Sequence, residues 1–428
     1  MRIKFFWFLI YFISTEGFAL RGDSWGGFGT PSIGLFGISQ LLLWLVSLIA
    51  VLPGLGVLVH HSKSNGGKLA LAFGLIPLYM YIVSVLGLIW GSEISLAGLF
   101  STFVELKFFL MFYLFVYLCS KPNGIEKALD GLGFSSVVLS LSFLVIVIFD
   151  VETAVTTVKE SSDITRLFRV IIPGSLLMAI GGYLFFSRFI VSGGVYNILF
   201  SFICMMANVA QMHRGVLIAT FVSTLVLIKW SVFESNLMPL KRKIFVVCFW
   251  GVIIFSGSIL SFSSGGLVSE YLSANTTEIF EFSSNFGHRI FLVVNSWNYV
   301  ISDTFGFGVG FVWEHVDDLG VYLFNAFIAG PTNDSSYANI IIILGVPGIF
   351  LFAGIFYTLS VFFKSIRANS RDPFLRGMGV FFGVVLIYIL LVSASSDIIF
   401  ISNSTVIFSI FIALSFSLRH RVGRGSYL

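Results

Sequence analysis

Long apolar runs recur along the chain and are separated by short polar connections. A helix of about 20 consecutive apolar residues crosses the hydrocarbon core of a bilayer. The pattern predicts about a dozen such helices, over 4–20, 34–59, 69–90, 97–119, 133–150, 170–187, 192–211, 215–229, 244–263, 338–363, 375–394 and 399–418. The first run is short and follows Arg2 and Lys4, but no small-x-small cleavage pattern comes after it, so it reads as a span rather than a removable leader. The pair 192–211 and 215–229 is joined by a tight turn. One connection is long, 264–337, and it is rich in Asn, Ser, Thr, Gly, Asp and Glu; a second polar connection covers 151–169.

Composition turns this pattern into a fold class. Of 428 residues 57% are hydrophobic and only 11% charged, whereas a soluble domain carries about 25% charged residues. The expectation is an all-α polytopic membrane protein, one transmembrane domain over 1–428, with no room for a large soluble domain. The net charge of +4 sits in the connections and makes no nucleic-acid surface. Basic residues favour cytoplasmic loops. With the N-terminus inside, 18 of the 25 Lys and Arg residues fall on the cytoplasmic side and six outside, which places both termini in the cytoplasm and 264–337 in the periplasm. Cys119, Cys204 and Cys248 lie far apart in apolar runs and read as packed thiols.

The outer side then holds the candidate chemistry. Arg214, in Gln211-Met212-His213-Arg214-Gly215, sits between two spans where positive charge is disfavoured. A fixed guanidinium there can grip an anion bidentately; the competing reading is an arginine reaching to lipid headgroups. Arg289, after His288, precedes an apolar and aromatic run containing Trp297 and Tyr299. Ile290, Val293, Val294 and Trp297 recur at helical spacing, which predicts an amphipathic helix lying in the interface. An arginine at the start of a helix is badly placed for the macrodipole unless an external anion offsets it. Gly306, Gly308 and Gly310 do not stand between a strand and a helix, so they predict a tight turn rather than a dinucleotide site. Asn333, Asp334, Ser335 and Tyr337 lead into the span at 338, where Asp334 or Ser335 can cap the helix or a carboxylate can act on a hydroxyl. Arg166 and Arg169 enter the span at 170–187 from outside, and Glu105 and Lys107 lie within 97–119 as candidate cavity lining. No His, Cys, Asp or Glu spacing matches a metal site, and no cofactor is expected.

In order and spacing these pieces resemble the O-antigen polymerase and O-antigen ligase superfamily over residues 196–357. The resemblance rests on His213-Arg214-Gly215 between two spans, Arg289 and Trp297 in a long outer loop, the Gly306-x-Gly308-x-Gly310 turn, Asn333-Asp334-Ser335-Ser336-Tyr337, and Leu344-Gly345-Val346-Pro347-Gly348. Ligases of the superfamily carry a His before the Asn of the fourth piece; here Thr332 stands there, which favours a polymerase.

The resemblance implies a GT-C-like helical bundle in the bacterial inner membrane. It implies transfer of a glycan from a polyprenyl-pyrophosphate-linked oligosaccharide to a sugar hydroxyl at the periplasmic face, without a metal. Arg214 and Arg289 would hold the pyrophosphate and stabilise charge on the leaving group. Asp334, His288 or Glu281 would orient or deprotonate the acceptor, and Arg166, Arg169, Asn333 and Tyr337 would contact substrate. The expected partners are the lipid-linked donor, membrane lipid and a chain-length regulator, with no nucleic acid. A ligase and a flippase of lipid-linked sugars stand as alternatives.

Overall fold

The computed structural model describes residues 35–89, 107–149, 175–210, 214–233, 239–246, 285–308, 335–395, 399 and 402–423. Among these residues there is no strand. In chain order the helices are α1 (Leu35–His61), α2 (Asn65–Gly74), α3 (Ile76–Ile89), α4 (Lys107–Cys119), α5 (Gly124–Phe149), α6 (Ser175–Ser192), α7 (Val195–Ala210), α8 (Arg214–Ile228), α9 (Asn285–Asp303), α10 (Ser336–Asn369), α11 (Pro373–Ser395) and α12 (Ser402–Gly423). A π-helical turn, Lys229–Phe233, extends α8.

Among the described residues five helices are long and apolar enough to cross a membrane, six if the bent pair α2–α3 is one span, and Leu45–His61 of α1, Phe109–Cys119 of α4, Leu176–Ser192 of α6 and Val195–Val209 of α7 add shorter apolar segments. Large side chains such as Ile49, Leu52, Tyr196, Phe350 and Tyr357 are 73–78% exposed. Each would cost about 1.5–3 kcal/mol left in water, so their natural surroundings are lipid. The molecule is thus a polytopic membrane protein, all-helical over the described residues. The predicted span 4–20 lies outside the described residues, and 97–119 and 244–263 do so in part.

One predicted span needs correcting. The run 69–90 reads as a single helix, but α2 and α3 meet at a 47° bend. Pro77 is the cause: it has no N–H for a helical bond, and its ring would strike the carbonyl of Phe73. The Gly74 carbonyl at the bend accepts the Tyr113 hydroxyl from α4 instead.

Small residues and buried hydroxyls join the helices, as expected where lipid supplies no hydrophobic drive between them. Ser136 on α5 donates to the Leu177 carbonyl of α6 at 2.8 Å, Ser201 on α7 to Gly182 of α6 at 2.9 Å, and Ser187 on α6 to Gly377 of α11 at 2.6 Å. The centre is aromatic: Phe363 of α10 stacks on Phe382 of α11 with centroids 5.3 Å apart, and Phe382 meets Phe411 of α12.

These contacts fix helix direction. The C-terminal end of α6 meets the N-terminal end of α11, where Gly379 lies against the backbone of Phe363 and Arg367 near the end of α10. Arg367 covers the Trp230 ring beyond α8 at 3.7 Å, Arg188 pairs with Asp130 at 2.7 Å, and Arg421 on α12 pairs with Glu126 of α5 at 3.1 Å. One end of the bundle therefore gathers Arg188, Arg367, Arg376 and Arg421. The start of α8, the start of α10 and the end of α11 lie at the other.

Candidate functional site

The last two turns of α11 organise that other end. Asn208, in the final turn of α7, donates from Nδ2 to the Thr220 Oγ1 of α8 at 2.7 Å, and its Oδ1 accepts from the Tyr388 hydroxyl of α11 at 3.3 Å. Thr220 donates in turn to the Val216 carbonyl at 2.6 Å, and the Tyr183 hydroxyl of α6 reaches the Thr220 carbonyl at 3.4 Å. All four side chains are buried. Two residues beyond Tyr388, the Leu390 carbonyl accepts the Tyr337 hydroxyl from the first turn of α10 at 2.6 Å.

The second of these contacts requires α10 to bend. From the Gly379 contact to the Tyr337 contact α11 advances 11 residues and α10 retreats 26, or about 16 Å against about 39 Å at 1.5 Å per residue. Gly345, at φ 63° and ψ −155°, makes the break. The arm ahead of it is packed on all sides: Ser336, Ala338, Asn339 and every residue from Ile340 to Gly345 are buried. Ser335 occupies the N-cap position but makes no side-chain cap bond; its hydroxyl is 3.5 Å from the Ser393 carbonyl.

The glycine turn that follows α9 fills this break. Gly306 N–H bonds back to the Val300 carbonyl at 2.8 Å, and Gly308 N–H to Thr304 Oγ1 at 3.1 Å. Gly306 and Gly308 both have positive φ, a conformation glycine adopts without penalty. A Cβ on Gly308 would come within 2.7 Å of the Gly345 nitrogen, and one on Gly345 would strike the Gly306 carbonyl oxygen. From α3, the Tyr79 hydroxyl binds the Phe307 carbonyl at 2.8 Å and the Leu344 carbonyl at 3.2 Å. Two of the sequence pieces that carry the resemblance, Gly306-x-Gly308 and Leu344–Gly348, are therefore in direct backbone contact.

The run after Arg289 is the predicted amphipathic helix. On α9, Ile290, Val294, Trp297 and Ile301 form an exposed apolar stripe, while Ser296 and Val300 are buried and the helix packs along α10. Asn298 and Ser302 are exposed beside the stripe. Such a helix suits an interface, with protein on one side, lipid on the second and water on the third.

Among the predicted site residues, Arg214 opens α8, and His288 and Arg289 stand in the first turns of α9; for these three the description extends to the backbone. Thr220 lies six residues after Arg214, so the Arg214 turn is about 9 Å of helix rise from the contacts at Tyr388. Tyr337 is held by Leu390. Arg166, Arg169, Glu281, Asn333 and Asp334 lie outside the described residues, as do Gly310, Glu105 and Cys248. Cys119 and Cys204 are buried thiols. Among the described residues no three His, Cys, Asp or Glu side chains stand close enough to hold a metal ion.

Sequence reasoning missed Tyr79, Asn208, Thr220 and Tyr388. Asn208 carried a signal, an amide within an apolar run, but its partners are remote in sequence. No protein-family model matches the chain, and no curated protein is similar to it at a significant level.

Proposed function

We propose that this protein polymerises polyprenyl-pyrophosphate-linked oligosaccharide repeat units at the periplasmic face of a bacterial inner membrane. The observation that carries this reading is the convergence on Tyr388–Leu390 of α11. There the helix opened by Arg214 and the helix led in by Asn333 and Asp334 are tied to the same two turns. This end lies opposite Arg188, Arg367, Arg376 and Arg421, as the positive-inside rule requires of a periplasmic face. In this account the protein has twelve spans and both termini in the cytoplasm.

The chemistry follows from the donor. Arg214 and Arg289 clamp the pyrophosphate and stabilise the negative charge that grows on it as the sugar C1–O bond breaks. The acceptor hydroxyl attacks C1, its proton passes to Asp334 or His288, and polyprenyl pyrophosphate leaves with the bonding electrons. Arg166, Arg169 and Asn333 contact the substrate from the outer loops. The exposed stripe of α9 keeps the isoprenoid chain at interface depth. A chain-length regulator is the expected protein partner. Arginine forks stand in for a divalent metal.

One observation favours a second reading. The break at Gly345 makes α10 a discontinuous helix, a feature that transporters place near their substrates. Purified protein in liposomes separates the readings. Given a lipid-linked repeat unit, a polymerase yields a ladder of glycan lengths and releases one polyprenyl pyrophosphate per linkage. A single transfer to a lipid acceptor identifies a ligase, and movement of the donor between leaflets without a ladder identifies a flippase; either result overturns the polymerase reading.

A further inference from the structure

Asn208 and its partners lie among apolar helices, where an amide and three hydroxyls are expensive to bury and their placement needs a reason. Lipid supplies no hydrophobic drive to hold α7 to α8, so packing and hydrogen bonds hold them. Hydrogen bonds do something more specific: they fix the axial register and rotation of one helix against the next. Asn208 uses both ends of its amide, the nitrogen on Thr220 and the oxygen on Tyr388, so one side chain ties α7 to α8 and to α11 at once. Thr220 passes the constraint to the Val216 carbonyl, two residues from Arg214. α7 ends at Ala210 and α8 begins at Arg214, so the connection of three residues stands on two feet that Asn208 ties together.

We propose that Asn208 is a positioning residue for Arg214: with Thr220 and Tyr388 it sets the height and rotation of the helix start from which the guanidinium reaches the pyrophosphate. This rests on the proposed role of Arg214 in binding the donor. A fork that grips two oxygens loses much of its affinity when its base turns by a few tens of degrees. Asn208→Asp, at nearly constant volume, replaces the Nδ2 donor to Thr220 with a second carboxyl oxygen among apolar helices, while Thr220→Val and Tyr388→Phe delete the hydroxyls outright.

The experiment measures the affinity of the full chain in nanodiscs for polyprenyl pyrophosphate. The variants are Arg214→Ala, Arg214→Lys, Asn208→Asp and Arg214→Lys together with Asn208→Asp, with Thr220→Val and Tyr388→Phe as independent breaks of the same chain of bonds. A variant enters the comparison once its unfolding temperature shows that it is folded. The expected result is a roughly tenfold weaker Kd for Asn208→Asp and for Arg214→Lys, with the double variant no weaker than the worse single one, because residues acting through one contact are not additive. A roughly hundredfold loss in the double variant, or unchanged binding in Asn208→Asp, Thr220→Val and Tyr388→Phe alike, overturns the positioning role while leaving the donor reading intact. Normal binding by Arg214→Lys and Arg214→Ala, or no binding by the wild type, removes the donor reading and this inference with it.

Discussion

The Gly306 carbonyl accepts the Val346 N–H at 2.9 Å. In an unbroken helix that N–H would have bonded to Ile342. The turn after α9 thus supplies the partner that α10 loses at Gly345, and Tyr79 takes the Leu344 carbonyl on the other side of the break. An unpaired backbone group in an apolar setting costs several kcal/mol, so the broken helix and the glycine turn require each other.

Gly345→Ala tests that dependence. Alanine there meets a positive φ of 63° and the Gly306 carbonyl at once. We expect a loss of at least about 1–3 kcal/mol, the cost of one strained non-glycine conformation. Gly56→Ala is the control: nothing lies within 4 Å of its added methyl, and removing a glycine from a helix interior gains up to about 1 kcal/mol. Thermal unfolding in detergent should lower the midpoint for the first and leave it level or raised for the second. Equal midpoints would mean that the turn does not lock the break.

Much of this was legible in advance. The apolar runs behind α1, α8 and α11 match helices within a few residues, because a run of about 20 apolar residues suffices to signal a span. The turn at Gly306–Gly308 was legible too, since clustered glycines leave few other conformations. The bend at Leu75 escaped because hydropathy does not register Pro77. The arm Ser336–Leu344 escaped for a different reason. Ile340–Leu344 reads as continuous with the apolar run that extends to Phe363, and the partner that permits the break lies some forty residues earlier in the chain. Asn208 and Tyr388, 180 residues apart, meet only in the folded bundle.

The orientation has its own check. Reporter fusions at Ser284 and Lys241 should register opposite compartments, with Ser284 in the periplasm. The helix directions already place the end of α10, with Arg367, away from the start of α8. Both reporters in one compartment would contradict the twelve-span topology.

Chelation addresses the clamp. Charge on the departing pyrophosphate is balanced by arginine in this account, so ladder formation by purified protein should persist in EDTA at the same rate. Loss of the ladder in EDTA, restored by Mg²⁺ or Mn²⁺, would require a metal in place of the arginine pair.

The most direct measurement is turnover by the arginine variants at equal membrane levels. Arg214→Ala and Arg289→Ala should each fold and insert, yet lower the rate of glycan linkage by roughly one to three orders of magnitude, the effect of removing one transition-state donor. Arg214→Lys and Arg289→Lys should recover part of it, since lysine keeps the charge and loses the fork. Ladders of wild-type length and rate from both alanine variants would contradict the shared pyrophosphate site.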